Sequence, residues 1–553
     1  MEKRTILAFA LSFLVLILWS FLFNPSKDQV SKKSETPETV AQKTVSQSPE
    51  TASAPHAAIS KAPEETKIKL NPETDEKEVV VDTPLYRAVF TNAGPTIKSF
   101  KLKEYRETVA PDSPPIELIN LYKKTSDFLV ISFDGVSVDR NKKPIYQVEQ
   151  QKIRLEPGSS PKNLIFRTTT PSGISISQNF HFYPNQYRID LHVDVINQSG
   201  EIVTGAFVAD IKALPPKGKK SYYSYVGLVL LLDDKLKQIK TKKISEEKVL
   251  SGQIDWMAYE DSFFISAVIP DPPSKGSFKG RLLPSGVLEG TYLPSSISLK
   301  PTEQISSSYT LYLGPRDMGI LKQLGKNLDK AVNFGWTDII AKPLLYTLRF
   351  FNHYINNFGV SIILLTILIK ILFWPLTHKS YKSMKEMQKL QPRMAKIREK
   401  YKNNKAQLNK EMMGLYKTYK VNPMGGCLPM IVQLPVFFAL YRILGSAIEL
   451  RQAPFMFWIN DLSAPDRLFN FSFSIPFMKP PYGIPVLTLL MGASMFLQQK
   501  MTPTPGDPTQ AKLMMFLPLI FTFMFINFSS GLVLYWLVNN LLSIGQQYRI
   551  YKS

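Results

Sequence analysis

A lysine inside an apolar stretch is the residue of this chain most suggestive of function. Phe358 to Leu376 (FGVSIILLTILIKILFWPL) has the length and composition of a membrane span, and Lys370 lies within it. A charge at that depth costs roughly 2.5–3.5 kcal/mol on insertion scales, so it marks a functional site unless its ammonium escapes to water. Snorkelling to the nearer headgroups is the simpler reading. Against it, Lys370 precedes Thr377 by seven residues, about 10 Å along a helix, a long reach for a lysine.

Other polar residues occur at similar depth. Thr366, Lys370 and Thr377 share one helical face, spaced by 4 and 7. Gln433 lies six residues past Cys427 in a second apolar segment, and Asn539 and Asn540 lie in the last one. Scattered polar groups facing lipid are costly, so the economical arrangement is convergence on one water-accessible pocket with one positive charge and several amides. No Asp or Glu falls within these spans. A permanent internal ion pair for Lys370 is therefore not expected, and its vacant partner is a carboxylate on something that binds. Arg442, near the external end of its span, is read as snorkelling.

The elements that position these residues follow from hydropathy. Mean hydropathy is −0.07, an average over a polar first two thirds and an apolar last third. Residues 1–23 contain an apolar run, Ile6 to Phe23, with no close small-residue cleavage site, and read as an uncleaved signal anchor. Residues 24–77 are rich in Pro, Ser, Thr, Glu and Lys and read as a disordered tether. Residues 78–330 alternate β-branched and aromatic positions between Gly, Pro and Asn turns, the pattern of a large β-sandwich. Residues 331–357 read as an amphipathic helix at the outer membrane boundary, interrupted at Pro343; packing on the sandwich is the other reading. The spans are 358–376, 428–447, 482–499, 513–528 and 529–546, which with the anchor make six. The fold class is thus an α-helical membrane bundle, five helices forming its core, plus a large external β-sandwich.

Residues 377–427 carry 13 Lys and Arg against 3 Glu from His378 to Gly426, a local charge of +10 within a total of +22. The positive-inside bias makes this segment cytoplasmic. The loop 448–481 balances Arg451, Arg467 and Lys479 against Glu449, Asp461 and Asp466 and is external. The sandwich is then also external, the loop 500–512 and the tail 547–553 are cytoplasmic, and both termini lie inside. Met387, Leu390, Met394, Ile397 and Tyr401, then Leu408, Met412, Leu415 and Tyr419, step by 3 and 4 around the turn Lys402–Lys405. This predicts two antiparallel helices with a methionine-bearing seam and basic outer faces that include Lys396 and Arg398. Fifteen of the 18 methionines lie from Met384 onward. Such a surface suits varied apolar partners, and an ordinary methionine-rich core is the alternative.

Several classes lack their signatures. There is one cysteine, Cys427, hence no internal disulfide, and no metal-ligand spacing. His181 and His192 read as strand residues, and no nucleophile motif or phosphate-binding Gly-rich loop occurs, so no catalytic residue, metal or cofactor is expected. The basic excess suggests anionic lipid or nucleic acid as a partner, with anionic lipid preferred and no specific DNA contact expected. A secondary transporter or channel is the alternative function; it calls for repeats and coupling-ion carboxylates in the spans, and neither is found. A membrane-tethered sugar-binding protein would leave the C-terminal spans unexplained.

Pro375-Leu376-Thr377, Leu390-Gln391-Pro392, Val421-Asn422-Pro423-Met424-Gly425-Gly426-Cys427, Gln433-Leu434-Pro435, Glu449-Leu450-Arg451-Gln452-Ala453-Pro454-Phe455 and Ser530-Gly531-Leu532-Val533-Leu534-Tyr535-Trp536 form a specific set. On these the sequence resembles the YidC-type membrane protein insertases, over essentially its whole length and most closely in the Gram-negative branch with a large periplasmic domain. The resemblance implies a non-enzymatic insertase of the bacterial inner membrane. It implies a hydrophilic groove, open to cytoplasm and lipid, that receives nascent membrane proteins and releases them laterally, alone or with the Sec translocon. Lys370 stands where the family usually carries Arg, and Tyr535 and Trp536 join Thr366, Gln433, Asn539 and Asn540 as expected groove residues. The implied partners are nascent membrane proteins, the ribosome and signal-recognition machinery, and the Sec translocon.

Overall fold

The structure is a computed structural model. It describes residues 75–119, 127–135, 143–215, 225–239, 247–419, 421, 428–502 and 508–552. The expected signal anchor, nearly all of the tether, and Asn422–Cys427 of the Val421–Cys427 motif lie outside the described residues.

The N-terminal part is all β. Strand Ile174–Phe182 buries every second residue, and Arg188–Asn197 does the same, so each gives one face to a core and one to water. These two strands pair antiparallel, Asp190 opposite His181, inside a 13-stranded sheet. A five-stranded sheet, which includes Glu78–Asp82 and Thr96–Arg106, is built separately. Phe90 of the smaller sheet meets Phe166, Phe180 and Phe182 of the larger, with ring centroids 5.2 to 6.4 Å apart. Gly227–Leu232 is buried on both faces, which explains its unbroken apolar sequence (GLVLLL).

The last long strand, Gln304–Pro315, delivers the chain to the helical part. Asp317 caps helix α1 (Met318–Leu324) by accepting the Gly319 and Ile320 amides. Helix α2 (Asp338–Ile355) buries Ala341, Leu345 and Leu348, at spacings of 4 and 3, and leaves Ile339, Tyr346, Phe350 and Tyr354 exposed. It does not break at Pro343 as expected. Pro343 is exposed and near the helix start, so the carbonyl it cannot serve, that of Ile339, stays on the open side. A left-handed Asn356 ends α2, and Asn357 caps α3 through the Val360 amide while donating to the Phe455 carbonyl at 2.9 Å.

Helix α3 runs unbroken from Phe358 to Lys400. The expected boundary at residue 376 is absent: the apolar span and the first arm of the basic hairpin are one helix of 43 residues. Pro375 removes the donor to the Ile371 carbonyl, which lies on the exposed side of the helix, Ile371 being 63% exposed, and the helix passes through. Helix α4 (Lys405–Thr418) returns after a turn at 401–404. Then come α5 (Leu428–Ser446), α6 (Val486–Met501), α7 (Pro508–Phe525) and α8 (Ser530–Lys552). Two further boundaries differ from expectation. The segment Tyr482–Ile484 is a strand paired with Leu468–Phe471, because Gly483 lets the Phe469 carbonyl approach where a Cβ would stand 2.1 Å from it. The expected tail at 547–553 continues α8 as helix through Lys552, since Gln546, Gln547 and Ile550 are buried and keep the helical period. Among the described residues one helix, α3, is by itself long and apolar enough to cross a membrane; Ile431–Ser446 and Met514–Phe525 are shorter apolar helices.

Candidate functional site

The site forms where α3, α5 and α8 meet. Lys370 lies 12 residues into α3, about 18 Å from its start. Its Nζ donates to Ser543 Oγ at 2.7 Å, and Ser543 in turn donates to the Asn539 carbonyl at 2.7 Å. Ser543, 2% exposed, thus offers its remaining lone pair to the ammonium. One side of a small pocket is Lys370 with Ile369, Phe373 and Thr377; the other is Val432 and Gln433 of α5, with Asn539 of α8. Its free volume, about 10 Å³, is close to that of one water.

The polar groups around it form a ladder along α8. Gln433 Nε2 donates to the Tyr535 hydroxyl at 2.9 Å, above the pocket. Below it, Gln546 Nε2 donates to Thr377 Oγ1 at 2.9 Å. Gln547 Nε2 reaches the Met501 carbonyl at 3.0 Å. Each bond joins α8 to a different helix, so α8 is the polar spine of the bundle.

Of the expected groove residues, Lys370, Gln433 and Asn539 come together, with Tyr535 bonded to Gln433. The other three point elsewhere. Thr366 is buried and donates to the Ile362 carbonyl of its own helix at 2.6 Å. Asn540 faces α6, donating to Ser494 Oγ at 3.0 Å. Trp536 sits in an aromatic cluster with Phe437, Phe525 and Phe521, its centroid 4.9 Å from that of Phe437. Three buried polar residues of α8 were missed: Ser543, Gln546 and Gln547. Asn539, Ser543 and Gln546, at steps of 4 and 3, were legible as a polar helical stripe.

The hairpin of α3 and α4 closes on itself. Met387, Leu390 and Met394 are buried with Val421, and Met412, Leu415 and Tyr416 pack against them. The seam methionines Met387 and Met394 therefore fill the hairpin's own core and offer no surface to varied apolar partners. Lys396 is exposed and Arg398 half-buried, and Arg393 lies over the Tyr419 ring at 4.9 Å. A second small core joins Tyr381 and Met384 of α3 to Ile550 of α8. Lys385 donates to the Ile550 carbonyl at 3.1 Å, so the C-terminal turn of α8 braces the root of the hairpin.

At the opposite end the β domain grips the helices. Arg349 of α2 lies 3.3 Å from Glu449, beyond α5, and 3.7 Å from Asp317, the α1 cap. Arg451 and Gln452 donate to the Arg106 carbonyl at a strand end, and the Arg451 guanidinium stands 5.6 Å from the Phe264 ring centroid. Burial pushes the Glu449 carboxyl above its usual range, with Asp317 adding to the shift and Arg349 opposing it.

The comparisons with known proteins agree along the whole chain. The family described as 60Kd inner membrane protein matches residues 350–553, and the YidC periplasmic domain matches residues 78–347. A protein of Syntrophus aciditrophicus named membrane protein insertase YidC is 45% identical over the full length of both chains. One of Syntrophobacter fumaroxidans with the same name is 43% identical over 99% of both. A solved structure titled as an active YidC insertase with the first transmembrane domain resolved covers 87% of this chain and 95% of its own, at 18% identity and a TM-score of 0.38, too loose a likeness to add to the sequence match. The chain therefore belongs to the YidC family of membrane protein insertases, inner-membrane proteins with a periplasmic β domain.

Proposed function

We infer that this chain inserts membrane proteins by offering Lys370 as a foothold, part-way through the bilayer, for the polar leading segment of a client. The carrying observation is an ammonium held inside the helical bundle by a neutral hydroxyl, in spans that contain no Asp or Glu. A neutral partner is displaced by a client carboxylate at little cost, because a charged hydrogen bond replaces a weaker one. Gln433 and Asn539 then stand beside the entering backbone as amide donors and acceptors. The client's apolar helix leaves along the exposed apolar faces of α3 and α7, where Ile371, Leu372, Phe516 and Ile520 already face outward.

The charge bias supports six spans with both termini cytoplasmic and the hairpin facing the cytoplasm. In that orientation its basic surface suits the ribosome, the signal-recognition machinery or anionic lipid, and the bundle can work alone or beside the Sec translocon. No phosphate-binding loop occurs in the sequence, so the work is assigned to lipid partition and to the membrane potential, worth ~2.3 kcal/mol per charge per 100 mV. A photocrosslinker at Gln433 should capture the leading segment of a stalled nascent chain, and one at the buried Trp256 of the β domain should not. Equal yields from both would refute the site.

A further inference from the structure

The outer loop between α5 and α6 carries an aromatic surface that the insertion mechanism does not use. Phe457, Phe469, Phe473 and Phe477 are 84%, 66%, 62% and 87% exposed. Three of them, Phe457, Phe469 and Phe477, hold a left-handed backbone with φ of 58°, 59° and 64°. Bulky side chains adopt that region at a cost, and a residue held there marks a place where the fold favours the direction of the side chain over backbone comfort. A run of exposed Phe is equally costly in water.

This loop is anchored. Its paired strands, Leu468–Phe471 and Tyr482–Ile484, form a two-stranded sheet, which in isolation is marginal. The turn between α7 and α8 supplies the support. Arg467 donates to the Ile526 carbonyl at 2.8 Å, the Lys479 amide donates to Asn527 Oδ1 at 2.8 Å, and Asn527 Nδ2 donates to the Phe477 carbonyl at 2.8 Å. The aromatic tips are thus fixed at the end of α7, whose own outward face (Phe516, Ile520, Phe523) is apolar and exposed in a family of inner-membrane proteins. The hairpin is thus bonded to the turn that directly follows this exposed apolar helix. From Leu468 to Ile484 the only charge is Lys479, and it is exposed. Aromatic rings with a lone cation match the headgroup–acyl boundary, where such rings are enriched.

We propose that the hairpin Leu468–Ile484 is a lipid-docking element whose Phe473 and Phe477 tips enter the headgroup–acyl boundary of the leaflet beside the α7–α8 turn. It pins that end of α7 to a fixed depth in the bilayer. The proposal concerns the outer loop alone and stands whether or not Lys370 receives clients.

The test uses the full chain in vesicles of phosphatidylethanolamine and phosphatidylglycerol, with the one cysteine removed as Cys427→Ser. An environment-sensitive fluorophore is placed by Phe473→Cys or Phe477→Cys, and by Val249→Cys, exposed in the β domain, as control. Both hairpin probes should shift to the blue. Spin labels near the headgroups should quench them more strongly than labels at the chain ends, while the control keeps a water-like spectrum. A probe at the neighbouring exposed Asn470, by Asn470→Cys, reads the same docking with all four Phe in place. Its blue shift should vanish when Phe473→Ser and Phe477→Ser are combined. Water-like spectra at all three hairpin positions would overturn the proposal. A blue shift that appears only at high protein-to-lipid ratio assigns the patch to a second copy, and one that appears only with a bound nascent chain assigns it to the client; either result also overturns it.

Discussion

Lys370 and Ser543, 173 residues apart in sequence, meet at 2.7 Å through the ammonium and a hydroxyl that is itself bonded to the Asn539 carbonyl. The pairing holds the charge in place while leaving it electrically uncompensated. Making the partner acidic should therefore be more damaging than removing it. We expect Ser543→Asp to create an internal ion pair and block clients with acidic leading segments, while Ser543→Ala inserts them at close to the normal rate. Lys370→Arg should be tolerated and Lys370→Glu should fail on the same clients by like-charge repulsion. Insertion assays in a strain depleted of the resident insertase read all four. Normal insertion of acid-led clients by Lys370→Glu would rule out a client-facing charge.

The basic hairpin separates into a root and a tip. The root is tied to α8 through Tyr381, Met384 and Ile550, and among the described residues the core of the tip is built from its own Met387, Leu390, Met394 and Val421. Deleting residues 388–420 should leave the protein folded and membrane-bound and abolish co-translational insertion, because the basic faces around Lys396 and Arg398 go with it. Extending the deletion through Tyr381 should also destabilise α8. Protease resistance of the membrane part, measured beside insertion, distinguishes the two. Normal insertion by the shorter deletion would reduce the hairpin to a topology signal.

Arg349 bridges the β domain and the outer end of α5 by facing both Asp317 and Glu449. Arg349→Ala leaves Glu449, 11% exposed at its side chain, without its cation. Breaking a fully buried pair costs about 3–5 kcal/mol; with Arg349 a third exposed, about 1–2 kcal/mol is expected here. The double variant Arg349→Ala with Glu449→Gln should recover most of that loss, since the orphaned charge is gone. Thermal unfolding in detergent measures it, and equal losses in the single and double variants would show that the pair is not coupled.

Glu260 lies fully buried beside Arg316, 3.4 Å away, and burial pushes its carboxyl up to about 7 from an ordinary 4.5, with Arg316 opposing the shift. Between these two values the folded chain binds a proton that the unfolded chain has lost. Stability from this group is therefore fully present below about pH 4.5 and is lost as pH rises towards 7. The full span is about 3 kcal/mol as an upper bound. Glu260→Gln should remove this slope. A wild-type melting temperature that rises steadily from pH 5 to pH 7, with the variant following it in parallel, would contradict the assignment.

What the sequence alone determined is whatever depends on local periodicity. Alternation within Ile174–Phe182 predicts a strand with one wet face, and the 3–4 spacing of Met387, Leu390 and Met394 predicts a helical seam, because each residue's neighbours are set by the repeat of its own element. The unpaired charge at Lys370 was legible for the same reason: composition shows that no acid shares its spans. The tertiary structure decided which of several polar residues face one another. Lys370 takes Ser543, Asn540 turns to Ser494, Trp536 joins an aromatic cluster, and Thr366 bonds its own helix. A helical residue's face is fixed by sequence, but the helix that meets that face is chosen by packing across the whole bundle. Helix ends at prolines followed the same rule. Pro375 lies inside α3, its unserved Ile371 carbonyl on the exposed side, and the contact of Gln546 of α8 with Thr377 holds the helix just beyond it.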